Sequence, residues 1–385
     1  MQKTIHIMQH MTPLDGVAID VPITYTPRTK DQLALLIPGH NEELVIQDTI
    51  NSALAAGQAL EHIYVVNDAS TDATAKLARA IVGHNNVLTV RRSGKALAIR
   101  KALNAFRIVD RYEWVHIADA DSVFDKNYFK EFLKHLDASR YVAMTGYVQA
   151  LNGGLVSKFR AYDYTYGQEV MRRLQHALGV ISVIPGPSSC YRTDILKELD
   201  FETNTMTEDF DITLQIHRKK LGRIGFIPTA KTLTQDPRTI RDYYQQVERW
   251  YRGFWQGVTG RKIGRRFQRL DVYMSYQIIE AFVYALNFLI FLPVHIYRRT
   301  SPIGLAVTFL LDVGITLVWC IVAAVKHKSW GVIAAFPMIY FFRMINLLVY
   351  LKSFVEIVVL RKFRTHQVGW ATEGRRYKIT QGVSS

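Results

Sequence analysis

The chain has 385 residues, 49% of them apolar, and carries 48 Lys and Arg against 33 Asp and Glu, a formal net charge of +15. That length exceeds one average domain, and its two cysteines, Cys190 and Cys320, stand too far apart in sequence to suggest a disulfide framework or a metal-ligand cluster, which suits a reducing, cytosol-facing catalytic part. The basic excess gathers around residues 261–269 and 361–378, on either side of an apolar C-terminal third, a distribution that points to anionic lipid and away from nucleic acid.

Residues 1–31 are polar, with Pro13, Pro22 and Pro27, and read as a lead-in without the apolar run of a signal peptide or anchor. Leu33-Ala34-Leu35-Leu36-Ile37 is then a continuous apolar run closed by Pro38-Gly39, the pattern of a buried parallel strand feeding a loop. Asn41-Glu42-Glu43 precedes Leu44, Val45, Ile50 and Leu54 at helical spacing. The plan repeats with a strand at 63–66, a polar turn at 67–72 and a helix at 73–82, where Ser70 or Thr71 is the expected cap and Asp68 a strand-tip carboxylate. After a strand at 87–90, Gly94-Lys95-Ala96 opens a helix through Asn104 and Phe106; the earlier glycine of a phosphate-cradling P-loop is missing. Residues 114–118 form a further buried strand that ends in Asp119-Ala120-Asp121. Two carboxylates at a strand tip lie where open α/β sheets bind ligands, and a hard divalent cation takes one or two carboxylates plus substrate phosphates. Strands alternating with helices predict a doubly wound, Rossmann-like parallel sheet in a domain over 32–235.

Residues 151–178 place Phe159, Tyr162, Tyr166, Val170 and Leu174 at helical spacing, and Cys190 follows a Gly/Pro/Ser loop as a small buried residue. Thr207 is expected to cap the helix through Leu214 and Ile216, with Glu208 and Asp209 as favourable first-turn acids. Gln246, Arg249 and Trp250, at i, i+3 and i+4, share one helix face. A guanidinium there can grip diphosphate oxygens, and an indole offers a flat surface to a sugar ring. Tyr243, Tyr244, Tyr251, Phe254 and Trp255 suit a helix lying in a membrane interface, within an interfacial region over 236–272. Residues 276–297 and 303–325 are each about 20 mostly apolar residues, enough to span a bilayer, within an α-helical membrane region over 273–361. Arg343, Lys352 and Glu356 interrupt 331–360, which reads as one tilted span or, preferably, as a hairpin or an interfacial 350–360 that keeps the basic tail, 362–385, cytosolic. Glu280 and Asp312, costly in lipid, are expected to face a polar path or each other.

In order and spacing, Pro38-Gly39-His40-Asn41-Glu42-Glu43, Asn67-Asp68-Ala69-Ser70-Thr71-Asp72, Gly94-Lys95-Ala96 with Leu103-Asn104, and Asp119-Ala120-Asp121 resemble the blocks of family 2 glycosyltransferases. Thr207-Glu208-Asp209 and Gln246-Val247-Glu248-Arg249-Trp250 are similar to the acidic triplet and QxxRW motif of its processive branch, which holds cellulose, chitin, hyaluronan and poly-N-acetylglucosamine synthases. His40, Asn67 and Ser93 depart from the family pattern. The resemblance implies a glycosyltransferase A-type fold and inverting transfer from a UDP-sugar, UDP-N-acetylglucosamine or UDP-glucose favoured, to a growing β-linked polysaccharide. It implies Mg²⁺ or Mn²⁺ on Asp121 and Asp119. Around the nucleotide-sugar it sets Pro38, Asn41, Glu42, Asp68, Lys95, Asp119 and Arg249; on the acceptor side, Glu208, Gln246 and Trp250; and Asp209 as the catalytic base. The implied partners are the UDP-sugar donor, a glycan or lipid-linked acceptor and the lipid bilayer, and so few spans leave open an accessory subunit that completes an export path; nucleic acid is not among them. The expected location is the cell membrane with the catalytic domain in the cytosol. Two alternatives stand: transfer of one sugar to a lipid carrier or other acceptor, and a non-catalytic glycan-binding or scaffold protein, whose mark would be a lost carboxylate that this chain retains.

Overall fold

Strand β1 (Leu33–Gly39) is buried at every position. Its side chains part by parity: Leu33, Leu35 and Ile37 enter one core, Ala34 and Leu36 the other. A strand wetted on neither face needs no polar alternation, so its sequence is one apolar run, and each buried aliphatic side chain contributes roughly 1.5–3 kcal/mol. The computed structural model describes residues 33–136, 140–151, 153–202, 205–298, 302–362 and 377–378; the lead-in over 1–31 and most of the basic tail lie outside them.

After β1 come α1 (Ile46–Ala55), β2 (Ile63–Asp68), α2 (Thr74–Val82), β3 (Val87–Val90), α3 (Lys95–Ala105), α4 (Ile108–Arg111) and β4 (Trp114–Ile117). These strands are parallel, in the order β3-β2-β1-β4. There follow β5 (Val123–Phe124), α5 (Tyr128–Leu133), β6 (Ala143–Ala150), α6 (Leu155–Tyr166), a π-helical stretch (Gly167–Arg172), α7 (Arg173–Leu178), β7 (Ser189–Arg192), α8 (Thr193–Leu196), α9 (Glu208–Arg218) and β8 (Ile224–Thr234). The sheet has eight strands, β3-β2-β1-β4-β7-β6-β8-β5, and is mixed rather than wholly parallel. Strand β7 runs antiparallel to β4 and β6, and β5 antiparallel to β8. The cause is local: Ser189 pairs with Ile117, so the chain enters β7 from the C-terminal end of β4, the edge where ligands bind. Two caps also differ from expectation. Asp72 rather than Ser70 or Thr71 accepts the Thr74 N–H at 3.0 Å, and Thr207 makes no side-chain cap for α9 because its hydroxyl packs against Gly253.

Beyond the sheet, α10 (Ile240–Gly260) is capped by Thr239, which accepts the Asp242 N–H at 3.1 Å. Next are α11 (Arg269–Leu286), a π-helical turn (Asn287–Phe291), α12 (Leu292–Arg298), α13 (Pro302–Lys326), α14 (Gly331–Ala334) and α15 (Phe336–Phe354), which runs on into a π-helical turn (Val355–Val359). Two stretches, Arg269–Arg298 and Ala306–Lys326, are long and apolar enough to cross a membrane. Residues 336–359 do not fold back as a hairpin. They lie along α10, where Lys352 meets Glu248 at 2.6 Å, Glu356 meets Arg252 at 2.8 Å and Trp255 Nε1 donates to the Tyr350 carbonyl at 3.2 Å. The charges that interrupt this segment are therefore its docking groups. Asp312 pairs with Arg343 at 3.3 Å and accepts from Tyr340 at 2.7 Å, while Glu280 is exposed on α11.

Two ion pairs bind α9 to this C-terminal part. Arg261 grips Asp211 at 2.8 and 2.6 Å, and Arg218 grips Asp271, 2% exposed, at 2.7 and 2.6 Å. Removing one partner of a buried pair leaves an uncompensated charge, so Arg218→Met is expected to lower unfolding stability by about 3–5 kcal/mol, read as a drop in Tm.

Candidate active site

The first two strand tips are laced together. Asn41, held at φ 55°, donates its N–H to Ser70 Oγ at 2.9 Å and accepts the Thr71 N–H on Oδ1 at 2.9 Å. The Glu42 N–H donates to Thr74 Oγ1 at 2.8 Å, and the Ala73 N–H to Glu43 Oε2 at 3.0 Å. Pro38 and Glu42 are buried in this seam. Asp68, fully buried, accepts from the Ser93 N–H at 2.7 Å and from the Gly94 N–H at 2.8 Å. It thereby fixes the turn in which Gly94, at φ 84°, starts α3. Pro38, Asn41, Glu42 and Asp68 thus lie in the seam at the first two strand tips, with their polar groups engaged inside the chain.

A cluster of charged side chains meets at the start of α3. Lys95 Nζ lies 2.5 Å from Asp119 Oδ1 and 2.7 Å from Glu208 Oε1, so the start of α3, the tip of β4 and the start of α9 converge on one ammonium. Burial disfavours that charge, but Asp119, then Glu208 and Asp209, outweigh it and hold Lys95 above the usual lysine range. Burial would raise Glu208 too; Lys95 and Arg249 more than offset it, and Glu208 stays below the usual carboxylate range. Its neighbour behaves oppositely. Burial and the Glu208 charge push Asp209 up to about 6, against the opposing pull of Lys95. The next helix closes this side: Arg249 NH1 donates to the Met206 carbonyl at 3.3 Å, and Gly253 and Gly257 let α10 approach Thr207 and Phe210.

Thr49 Oγ1 donates to the Ala120 carbonyl at 2.6 Å and so fixes the residue between the two aspartates. Asp121, 2% exposed, accepts on Oδ2 from Thr234 Oγ1 at 3.2 Å and from the Gln235 N–H at 3.3 Å. Beside it stands Asp236, 3% exposed, which sequence reasoning passed over. Burial pushes its carboxyl well above the usual range, with Arg160 opposing and Asp121 adding to the rise. The signal for it was an acid two residues past a threonine-rich strand, but nothing local marks that strand's end as lying beside Asp121. Among the described residues no three His, Cys, Asp or Glu side chains form a closed metal cage. The donors at hand, hard carboxylate oxygens of Asp119 and Asp121 on a crevice edge, fit an open Mg²⁺ or Mn²⁺ site whose remaining positions are taken by water or phosphate.

Asp119 is also shaped from the other side. Ser188, next to Gly186, takes a 2.5 Å hydrogen bond with Tyr128 OH, which lies 2.8 Å from His116 Nε2. Burial lowers His116 to about 4, so this relay is neutral and keeps the loop in place across physiological pH. A Cβ at Gly186 would stand 2.6 Å from Asp119 Oδ2. Gly186→Ala is therefore expected to displace that carboxylate and slow turnover by about 100-fold. Steady-state rates together with an unchanged Tm check it.

The profile described as Glycosyltransferase like family 2 matches residues 30–253. Among curated relatives, poly-beta-1,6-N-acetyl-D-glucosamine synthase of Staphylococcus aureus (strain COL) is 26% identical over 229 residues, covering 57% of this chain and 54% of the relative. The enzyme of the same name from Staphylococcus epidermidis is 25% identical over 276 residues, covering 67% and 65%. The chain thus spans between about half and two thirds of the length of these relatives. Among solved structures, the mannosyltransferase PcManGT from Pyrobaculum calidifontis, in complex with GDP-Man and Mn²⁺, is similar at TM-score 0.53 and 16% identity, covering 83% of this chain and 90% of that one. The shared fold is a glycosyltransferase A-like α/β fold around a mixed sheet.

Proposed function

The chain belongs to glycosyltransferase-like family 2, and from that premise we propose that it is a membrane-embedded inverting enzyme that moves N-acetylglucosamine from UDP-N-acetylglucosamine onto a growing β-linked glycan. The observation that carries this reading is the Lys95 bridge between Asp119 and Glu208, with Asp209 beside it raised to about 6. The names of the two staphylococcal relatives support N-acetylglucosamine as the sugar. Two helices long and apolar enough to cross a bilayer support membrane embedding. The corresponding division of the chain is a lead-in over 1–31, a cytosolic transferase domain over 32–235, an interfacial region over 236–272, membrane helices over 273–361 and a basic cytosolic tail.

In this reading the wall built by Pro38, Asn41, Glu42 and Asp68 receives the nucleoside, and Lys95 and Arg249 supply positive charge to the diphosphate. Asp121, with Asp119, would hold Mg²⁺ or Mn²⁺, which supplies Lewis-acid stabilisation to a departing diphosphate. Asp209 takes the proton from the acceptor hydroxyl as that hydroxyl's oxygen bonds the anomeric carbon and the bond from this carbon to the diphosphate oxygen breaks, UDP leaving with the electron pair. Glu208 is the poorer base for that task, because Lys95 engages it and holds its carboxyl below the usual carboxylate range. The rigid start of α9 therefore carries one anchoring carboxylate and one proton acceptor. Gln246 and Trp250, on the adjoining face of α10, form the acceptor wall.

Asp209→Asn is expected to slow transfer by about 10²–10⁴-fold while UDP still binds, measured as UDP release and product size with vesicle-embedded protein and Mn²⁺. A high-mass product supports polymerisation; a singly extended acceptor supports one-step transfer to a lipid carrier; unchanged turnover in the variant removes Asp209 from the mechanism. Because the carboxyl is raised, it is protonated below its pKa and cannot accept a proton there. Activity should thus rise with pH through about 6 and lose that limb in Asp209→Asn. Chelation with EDTA should abolish transfer, and added Mn²⁺ should restore it.

A further inference from the structure

Arg160 belongs to none of the motifs, yet it is 2% exposed on α6. Its guanidinium carbon lies 4.5 Å from the ring centre of Trp250, 4.7 Å from Tyr243 and 5.5 Å from Tyr164. NH1 donates to Asp163 Oδ2 at 3.2 Å, and NH2 to Gln246 Oε1 at 2.8 Å. One planar cation therefore touches both the amide and the indole of the motif on α10. An amide oxygen held by a guanidinium leaves its NH₂ group turned the other way, so Gln246 turns its two N–H donors toward whatever lies beyond it. A cation over one face of an indole fixes the plane of the ring, and Trp250 remains partly exposed.

We propose that Arg160 is the positioning residue of the acceptor wall: it orients Gln246 as a hydrogen-bond donor and Trp250 as a platform. The wall then takes a glycan unit that presents an oxygen lone pair, from a hydroxyl or an acyl carbonyl, next to an apolar sugar face. Lysine cannot do the same, because a point charge neither stacks flat nor reaches two oxygens in a fork. The inference rests on the reading of α10 as the acceptor wall given above.

The test uses the full chain in lipid nanodiscs, UDP-N-acetylglucosamine as donor and a β-1,6-linked N-acetylglucosamine pentamer as acceptor probe. Donor hydrolysis without acceptor and near-UV circular dichroism run alongside. Arg160→Lys is expected to raise the pentamer KM about tenfold, with donor KM and hydrolysis moving less than about twofold. It should also erase the Trp250 signal, defined by the difference spectrum of Trp250→Phe. Gln246→Glu keeps Arg160 paired but replaces donors with acceptors. It should raise the pentamer KM about tenfold and leave the Trp250 signal intact. An unchanged pentamer KM and Trp250 signal in Arg160→Lys overturns the proposal, as does an equal rise in donor KM. If the unaltered protein neither hydrolyses the donor nor transfers from it, the donor reading fails, and the Trp250 signal alone decides the role of Arg160.

Discussion

One ammonium group organises the centre of this molecule. Lys95 touches carboxylates from two separate parts of the chain, at 2.5 and 2.7 Å, and Asp209 adds a third negative charge nearby. Three acids gathered in a half-buried crevice repel one another unless a cation stands among them. The lysine removes that conflict and at the same time divides labour between adjacent residues. Both are desolvated, but Glu208 receives the cation directly and stays below the usual carboxylate range, while burial and the Glu208 charge hold Asp209 above it. Two neighbours in sequence thus have their acidities shifted in opposite directions by geometry alone.

The parallel half of the sheet was legible because its strands are buried on both faces and so carry uninterrupted apolar runs, as in Leu33 to Ile37. The strand-tip acids were legible for the same reason: Asp119 and Asp121 interrupt such a run at its end. The direction of β7 was not, since Ser189 to Arg192 has the same composition whichever way it runs, and only its entry point beside Ile117 decides. Arg160 and Asp236 escaped notice because their meaning depends on partners far away in sequence, as with Gln246, 86 residues from Arg160, or on a strand whose placement no local pattern encodes. The polar interruptions at Lys352 and Glu356 were visible, but reading them as breaks in a tilted span, a hairpin or an interfacial stretch did not reach the complementary charges of Glu248 and Arg252 on α10.

The wall residues show a different relation between motif and chemistry. Asn41 and Asp68 look like ligand-binding groups, and both are engaged in holding strand-tip turns together. A motif residue can serve a site by building its frame, and here the frame is the seam between β1 and β2. The same holds for Gly186, whose missing Cβ gives Asp119 its place, and for the glycines of α10 that admit α9.

The clasps of Asp211 with Arg261 and of Arg218 with Asp271 carry a consequence for modularity. Every recognisable motif ends before Gly260, which invites treating that block as a portable cassette. Yet the helix that carries Glu208 and Asp209 is fastened to the loop after α10 and to the first turn of α11. Cutting there strands Asp211 and Arg218 as buried charges without counterparts, in the one helix whose alignment the chemistry most needs. The unit that can be inherited, grafted or recombined intact is therefore larger than the motifs that advertise it, and its natural border lies inside the apolar region.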